Sequence, residues 1–263
     1  MIWAINEVVL LATTAVIYLI VIEIGFNLGR RRGSGDDQAT ISHFGALQNA
    51  LLGLLALLLG FTIAMSLTRF ETRKDLVVAE ANAIGTTYLR AQFLPEQQKR
   101  EVSRLLNSYV AARLEFFKAG IDETRLEAAN TEASKIKSRL WTAAVTSSQT
   151  ANNPIMVSMF IQSLNDVIDV GEKRQVALEN HVPETVIGLL FLVSAAGLGF
   201  IGYGSGLTGT RHLRSTTTFA ILVALVLSVI LDIDRPRRGL IQVSQASMVR
   251  LQKDLAANRL SNN

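Results

Sequence analysis

Residues 52–90 read LGLLALLLGFTIAMSLTRFETRKDLVVAEANAIGTTYLR, and they change character halfway along without a helix breaker. The first half belongs to an uncharged run over 44–67, long enough to cross a bilayer at about 1.5 Å of rise per residue. Beyond Arg69 the pattern becomes helical and amphipathic. Phe70, Val77, Ala81, Ile84, Tyr88 and Ala91 form one apolar stripe, and Arg73, Glu80 and Thr87 fall on another face. Neither a proline nor a polar cluster separates the halves. The stretch therefore predicts one helix that leaves the membrane and enters a soluble helical bundle, coupling a membrane path to a domain.

The rest of the composition agrees with a membrane protein. Of 263 residues, 49% are hydrophobic and only 18% charged, which argues against a soluble enzyme. There is no cysteine, so disulfides, thiolate nucleophiles and cysteine metal sites are excluded. A net charge of +4 is ordinary where basic residues flank membrane spans. The aromatics lie mostly in apolar stretches and are not interleaved with a basic patch, so no nucleic-acid partner is expected.

Upstream, residues 2–28 form a first span interrupted by Glu7 and Glu23. It reads as a span and not a cleaved leader, because a basic start and a small-residue cleavage pattern are both missing. Glu23 is expected at the bundle interior or among the headgroups, since a lipid-facing carboxylate is costly. The run Arg30-Arg31-Arg32-Gly33-Ser34-Gly35-Asp36-Asp37 reads as a loop.

Downstream, Pro95 opens a helix over 96–119 with Val102, Leu105, Tyr109, Ala112 and Phe116 on one face, and Gly120 ends it. A second helix over 122–148 carries Leu126, Ala129, Ala133, Ile136 and Leu140. Asn152-Asn153-Pro154 then marks a turn before a third helix with Val157, Phe160, Ile161, Leu164 and Ile168. Residues 183–206 and 216–231 supply the third and fourth spans, and all four prolines sit at helix boundaries. Ala195 with Gly199, and Gly202 with Gly206, predict close helix packing in the third span. Within it Gly197-Leu198-Gly199-Phe200-Ile201-Gly202 matches a dinucleotide fingerprint by letter. The match is rejected because no strand precedes it and no acidic residue follows at the required offset.

The predicted fold class is an all-α integral membrane protein with four transmembrane helices and an extramembrane helical bundle inserted between spans 2 and 3. The divisions are 1–68 (spans 1 and 2), 69–181 (the helical domain continuous with span 2), 182–233 (spans 3 and 4) and 234–263 (a C-terminal tail). This topology puts the N-terminus, the domain and the tail on one side. By count of flanking Lys and Arg the domain is cytoplasmic, although the short loops are denser in arginine. At the domain-side boundary, Asp232-Ile233-Asp234-Arg235 ends span 4 at the level where Arg69 ends the apolar part of span 2. A tie between Asp232 or Asp234 and Arg69 is expected there, because a paired charge is more stable in a thinly hydrated interface.

Three runs carry a family resemblance: Gly60-Phe61-Thr62-Ile63-Ala64-Met65-Ser66-Leu67-Thr68-Arg69-Phe70, Glu80-Ala81-Asn82-Ala83-Ile84-Gly85, and Leu231-Asp232-Ile233-Asp234-Arg235-Pro236-Arg237-Arg238-Gly239-Leu240. Over nearly the whole chain the sequence resembles the bacterial bestrophin-like domain family, distantly similar to the bestrophin anion channels. The resemblance implies a multi-pass protein of the bacterial inner membrane, a homo-oligomer that is pentameric by analogy, and passage of chloride or other small anions. It also implies that span 2 lines the pore, with the bestrophin neck positions falling on Phe61, Leu57 and Gly53. Gly53 departs from the pattern, since glycine cannot form an apolar constriction. The tail lacks the acidic cluster of the animal calcium clasp, so calcium gating is not implied.

Leu57, Phe61 and Met65 are spaced by four and share a helix face, the arrangement of an apolar ring that gates by dewetting in an oligomer. Arg69, Arg73 and Lys74 follow as a basic vestibule that draws anions, and Glu80, Asp232, Asp234 and Arg235 complete the boundary charges. The competing reading is a membrane-anchored helical sensor or scaffold without transport. An enzyme is not expected. His43, His181 and His212 are the only histidines, and no catalytic, cofactor or metal-ligand spacing is present. The carboxylates read as solvated surface charge.

Overall fold

The computed structural model describes residues 7–32, 38–150 and 153–261. These form eight helices and no strand: α1 (Glu7–Arg32), α2 (Gln38–Ala91), α3 (Glu96–Lys118), α4 (Glu123–Thr150), α5 (Pro154–Glu179), α6 (Glu184–Thr208), α7 (Leu213–Ile233) and α8 (Ala246–Ser261). Four helical stretches, carried by α1, α2, α6 and α7, are long and apolar enough to cross a membrane. This is the all-α four-span class predicted from sequence. α2 is a single uninterrupted helix of 54 residues, as the absence of a breaker requires. Arg30, Arg31 and Arg32 do not begin a loop but form the last turn of α1, where cations meet the negative end of the helix dipole. Residues 33–37 and Asn152 of the two expected turns lie outside the described residues.

Contacts divide the chain into two compact units. The first comprises Met1–Thr68, His181–Arg235 and Gly239–Ile241 and holds the four spans. Its α1 and α6 run parallel with their backbones nearly touching. A methyl group on Gly202 would lie 2.1 Å from the Ile22 carbonyl oxygen, and one on Gly206 would lie 2.3 Å from that of Phe26. From the other helix, a methyl group on Gly25 or Gly29 would lie 2.2 Å from the carbonyl oxygen of Gly199 or Tyr203 respectively. Lipid tails are as apolar as leucine, so such close van der Waals contact is what holds membrane helices together. Tyr18, Leu190, Leu198, Ala220, Ala224 and Leu227 fill the adjoining core, with Leu58 and Leu59 of α2 packed against it.

The second unit comprises Arg69–Asn180, Pro236–Arg238 and Gln242–Asn263. Val77, Ala81, Ile84 and Tyr88 of α2 pack with residues of α3, α4 and α5 such as Leu105, Leu140 and Phe160. The stretch read as a plain tail contains α8, whose Met248 and Leu255 are buried in the same core. The polar stripe of α2 is buried as well. Arg73, Glu80 and Thr87 are 1%, 0% and 0% exposed, so the expectation that the carboxylates are solvated fails at Glu80.

Partners make that burial tolerable. Glu80 Oε1 accepts from the Tyr109 hydroxyl at 2.9 Å and lies 2.9 Å from Arg113 Nε. Its Oε2 accepts from Arg174 Nη1 at 2.5 Å, and Arg174 Nη2 donates to Gln245 Oε1 at 2.6 Å. Gly171 leaves the space for this group, because a methyl there would stand 2.7 Å from the Tyr109 hydroxyl. Burial acts to raise the Glu80 carboxyl pKa, but the Arg113 and Arg174 charges and the two hydrogen bonds outweigh it and hold it below the ordinary carboxylate value. Burial, reinforced by the Glu80 charge, pushes the Tyr109 phenol up, so it stays a donor.

Two stability outcomes follow from these units. Gly202→Ala lowers the melting temperature of the detergent-solubilised protein by the equivalent of about 1–3 kcal/mol. Gly188→Ala, at a position with open space beside it, does not. Because folding depresses the Glu80 pKa, its contribution is fully present above the unfolded value of about 4.3 and is lost as pH falls through the lower folded value. Glu80→Gln leaves two buried guanidinium groups without their carboxylate and costs about 3–5 kcal/mol. Its melting temperature also varies less between pH 5 and pH 3 than that of the wild type, roughly the window of carboxylate titration. An unchanged acid response would assign that loss to other carboxylates.

Candidate functional site

Within the four-span unit, the faces of α2 differ sharply. Leu55, Thr62 and Ser66 are buried, and the Thr62 hydroxyl donates to the Leu58 carbonyl oxygen within the helix at 2.8 Å. Leu57, Phe61 and Met65 are 55%, 65% and 40% exposed. Gly53 is exposed in the same row with nothing near the position its Cβ would take. At 3.6 residues per turn the spacing of four keeps these positions on one slowly turning strip. The strip is apolar and uncharged, the chemistry that excludes ions from a narrow wet path until it widens.

The basic residues that follow on α2, within the helical unit, divide by environment. Arg69 Nη1 donates to the Asn180 carbonyl oxygen at 3.0 Å and to its Oδ1 at 2.6 Å. Arg73 donates through Nε to the Ala177 carbonyl oxygen at 2.9 Å and through Nη2 to that of Asn180 at 3.0 Å. The last carbonyls of α5 have no partner within their own helix, and two cations satisfy them and meet the negative end of its dipole. Lys74 is exposed. Sequence periodicity gave no sign of this cap, because the arginines and their acceptors are more than 100 residues apart in the chain.

In the four-span unit, the acidic motif at the end of α7 builds a turn. Asp232 accepts from the Leu240 amide at 3.2 Å and the Ile241 amide at 3.0 Å. Gly239 lies between at φ +93°, and any Cβ there would fall 1.8 Å from Asp232 Oδ1, so this position demands glycine. Asp234 accepts from the Val182 amide at 2.8 Å, and His181 Nδ1 stands 3.2 Å from its Oδ2. Arg235 Nη1 is 3.5 Å from Glu7 Oε1. What Asp232 stabilises is the turn after it, and His181 joins the boundary charges although its sequence position gave no hint of that. Among the described residues, no group of three or more His, Asp or Glu side chains is placed to hold a metal ion.

The architecture has counterparts among known proteins. The crystal structure of a bacterial bestrophin homologue from Klebsiella pneumoniae matches with a TM-score of 0.64 at 16% identity, covering 96% of this chain and 98% of that one. A mutant of the same homologue gives 0.64 at 14% identity, with 95% and 99% covered. A membrane-protein variant gives 0.65 at 16% identity, with 95% and 97% covered. At such identities the likeness concerns the fold. No curated protein matches the chain. The family model for the bestrophin-like domain, however, matches residues 14–248. The four apolar spans, the helical segment inserted after the second and that match lead to one conclusion: the chain belongs to the bestrophin-like domain family.

Proposed function

We propose that the protein is a subunit of a homo-oligomeric anion channel of the bacterial inner membrane, with α2 facing the conduction path and the helical unit in the cytoplasm. The observation that carries this reading is the two-faced first half of α2. One side is buried at Leu55, Thr62 and Ser66, and the other leaves Gly53, Leu57, Phe61 and Met65 uncovered in the single chain. Copies arranged around an axis would bring these positions together as stacked apolar rings. Phe61 is the bulkiest member and so the principal constriction, while Gly53 contributes width and no barrier. Beyond the rings, Lys74 is the exposed cation and Arg69 is partly exposed, and these draw anions toward the path. Arg73 acts indirectly in this scheme, because its charge is buried against α5 and holds the wall of the vestibule. The bestrophin resemblance supports chloride as the ion and a pentamer as the assembly.

Halide flux into liposomes containing the purified protein tests the proposal. Phe61→Ala and Leu57→Ala remove apolar bulk from the constriction, and flux rises several-fold while Leu192→Ala, just as exposed but on α6, leaves it unchanged. Well-folded oligomers that pass no halide across a range of salt, pH and voltage, in wild type and variants alike, would overturn it.

A further inference from the structure

At the end of the four-span unit away from the Asp232 turn, the short connection between α6 and α7 meets the last turns of α1. Gly209 ends α6 in the left-handed conformation at φ +67°, and α7 begins only four residues later at Leu213. This tight turn places Arg211 with its guanidinium carbon 4.5 Å from the centre of the Phe26 ring. Arg30, one turn further along α1, has its own guanidinium carbon 6.0 Å from the same ring. Phe26 is buried at 6%, so the ring is a fixed platform for both cations. Nearby on the same unit Phe44 stacks on Phe200 at 4.9 Å and lies 4.7 Å from Tyr203, the sort of aromatic group that marks the headgroup level of a span.

The charge at this end is one-sided among the described residues. Arg30, Arg31, Arg32, Arg211 and Arg214 are all exposed, and the carboxylate among them is Glu23, whose Oε1 accepts from Arg211 Nη2 at 2.5 Å. Asp36 and Asp37 follow in the sequence but lie outside the described residues. Glu23 is itself half exposed and holds Arg211 through Nη2, and the Arg211 side chain is still 50% exposed. Alongside, Leu213 is an exposed apolar side chain of 63% accessibility that lines the same cleft as Glu23, Phe26 and Arg211. Two guanidinium groups over one ring, with an exposed leucine beside them, match a phosphate attached to acyl chains.

We propose that Arg30 and Arg211, held over Phe26, form a binding site for the phosphodiester headgroup of an anionic phospholipid. Guanidinium suits this ligand because its fork donates two parallel hydrogen bonds to phosphate oxygens. Leu213 beside it receives the first part of an acyl chain. The site is independent of whether α2 conducts ions, since none of its residues lies on the exposed row of that helix.

Native mass spectrometry of the full-length protein, equilibrated with equal amounts of phosphatidylglycerol and phosphatidylcholine, tests the assignment. Wild type retains phosphatidylglycerol preferentially. The double variant Arg30→Gln with Arg211→Gln reduces that preference about tenfold, as expected for two interfacial charges. Arg100→Gln with Arg139→Gln, exposed arginines of the helical unit, leaves it intact. Glu23→Gln removes the negative charge that competes for Arg211 and strengthens phosphatidylglycerol retention, a gain that misfolding cannot imitate. Equal retention of both lipids by wild type, a preference that survives the double variant, or no gain in Glu23→Gln would overturn the proposal. Displacement of the lipid by inorganic phosphate alone would overturn the lipid assignment in favour of a free-phosphate site.

Discussion

A helix that passes from hydrocarbon into water has to change the chemistry of its buried face while keeping its backbone hydrogen bonds unbroken. α2 does this over 54 residues, about 80 Å at the standard rise. Inside the four-span unit its buried side is Leu55, Thr62 and Ser66, small or apolar groups whose hydroxyls can turn back on the helix. Within the helical unit the buried side becomes Arg73, Val77, Glu80, Ala81, Ile84 and Thr87. Charged residues can occupy that second stretch because partners come from other helices: carbonyls at the end of α5 for Arg73, and Tyr109, Arg113 and Arg174 for Glu80.

That exchange explains what the sequence made legible. The uncharged run over 44–67, the helical period after Arg69 and the prolines at element boundaries are all local signals, and each found its helix. The close approach of α1 and α6 was half visible, as glycine spacing in α6. Its counterpart in α1, Gly25 and Gly29, follows the same four-residue rule and was open to the same reading. α8 was also readable in principle, since Met248, Leu251 and Leu255 repeat at three and four residues.

The burial of Glu80 was not readable. A glutamate one helical face away from an apolar stripe ordinarily faces water, and only the arrival of Arg113 and Arg174 from α3 and α5 reverses that expectation. One carboxylate shared by two guanidinium groups is a poor source of net stability compared with apolar packing. It is exacting in geometry, however, since α2, α3 and α5 each contribute a group to it and Gly171 must leave room. It therefore favours one register of these helices over its neighbours. The Asp232 turn acts by the same logic at short range, with two backbone amides converging on one carboxylate and a glycine where no other residue fits.

A conduction path along α2 requires water on its uncovered face, and a chain without cysteine allows each position to be probed singly. Single cysteines introduced at Gly53, Leu57, Phe61 and Met65, and separately at Leu55, Thr62 and Ser66, can be challenged in proteoliposomes with a charged, membrane-impermeant thiol reagent. Such reagents need both water and the thiolate. If α2 lines the path, the first set reacts with a period of four and the second stays protected. Reaction of the first set only with a lipid-soluble maleimide would place that face against hydrocarbon and contradict a conduction path along α2.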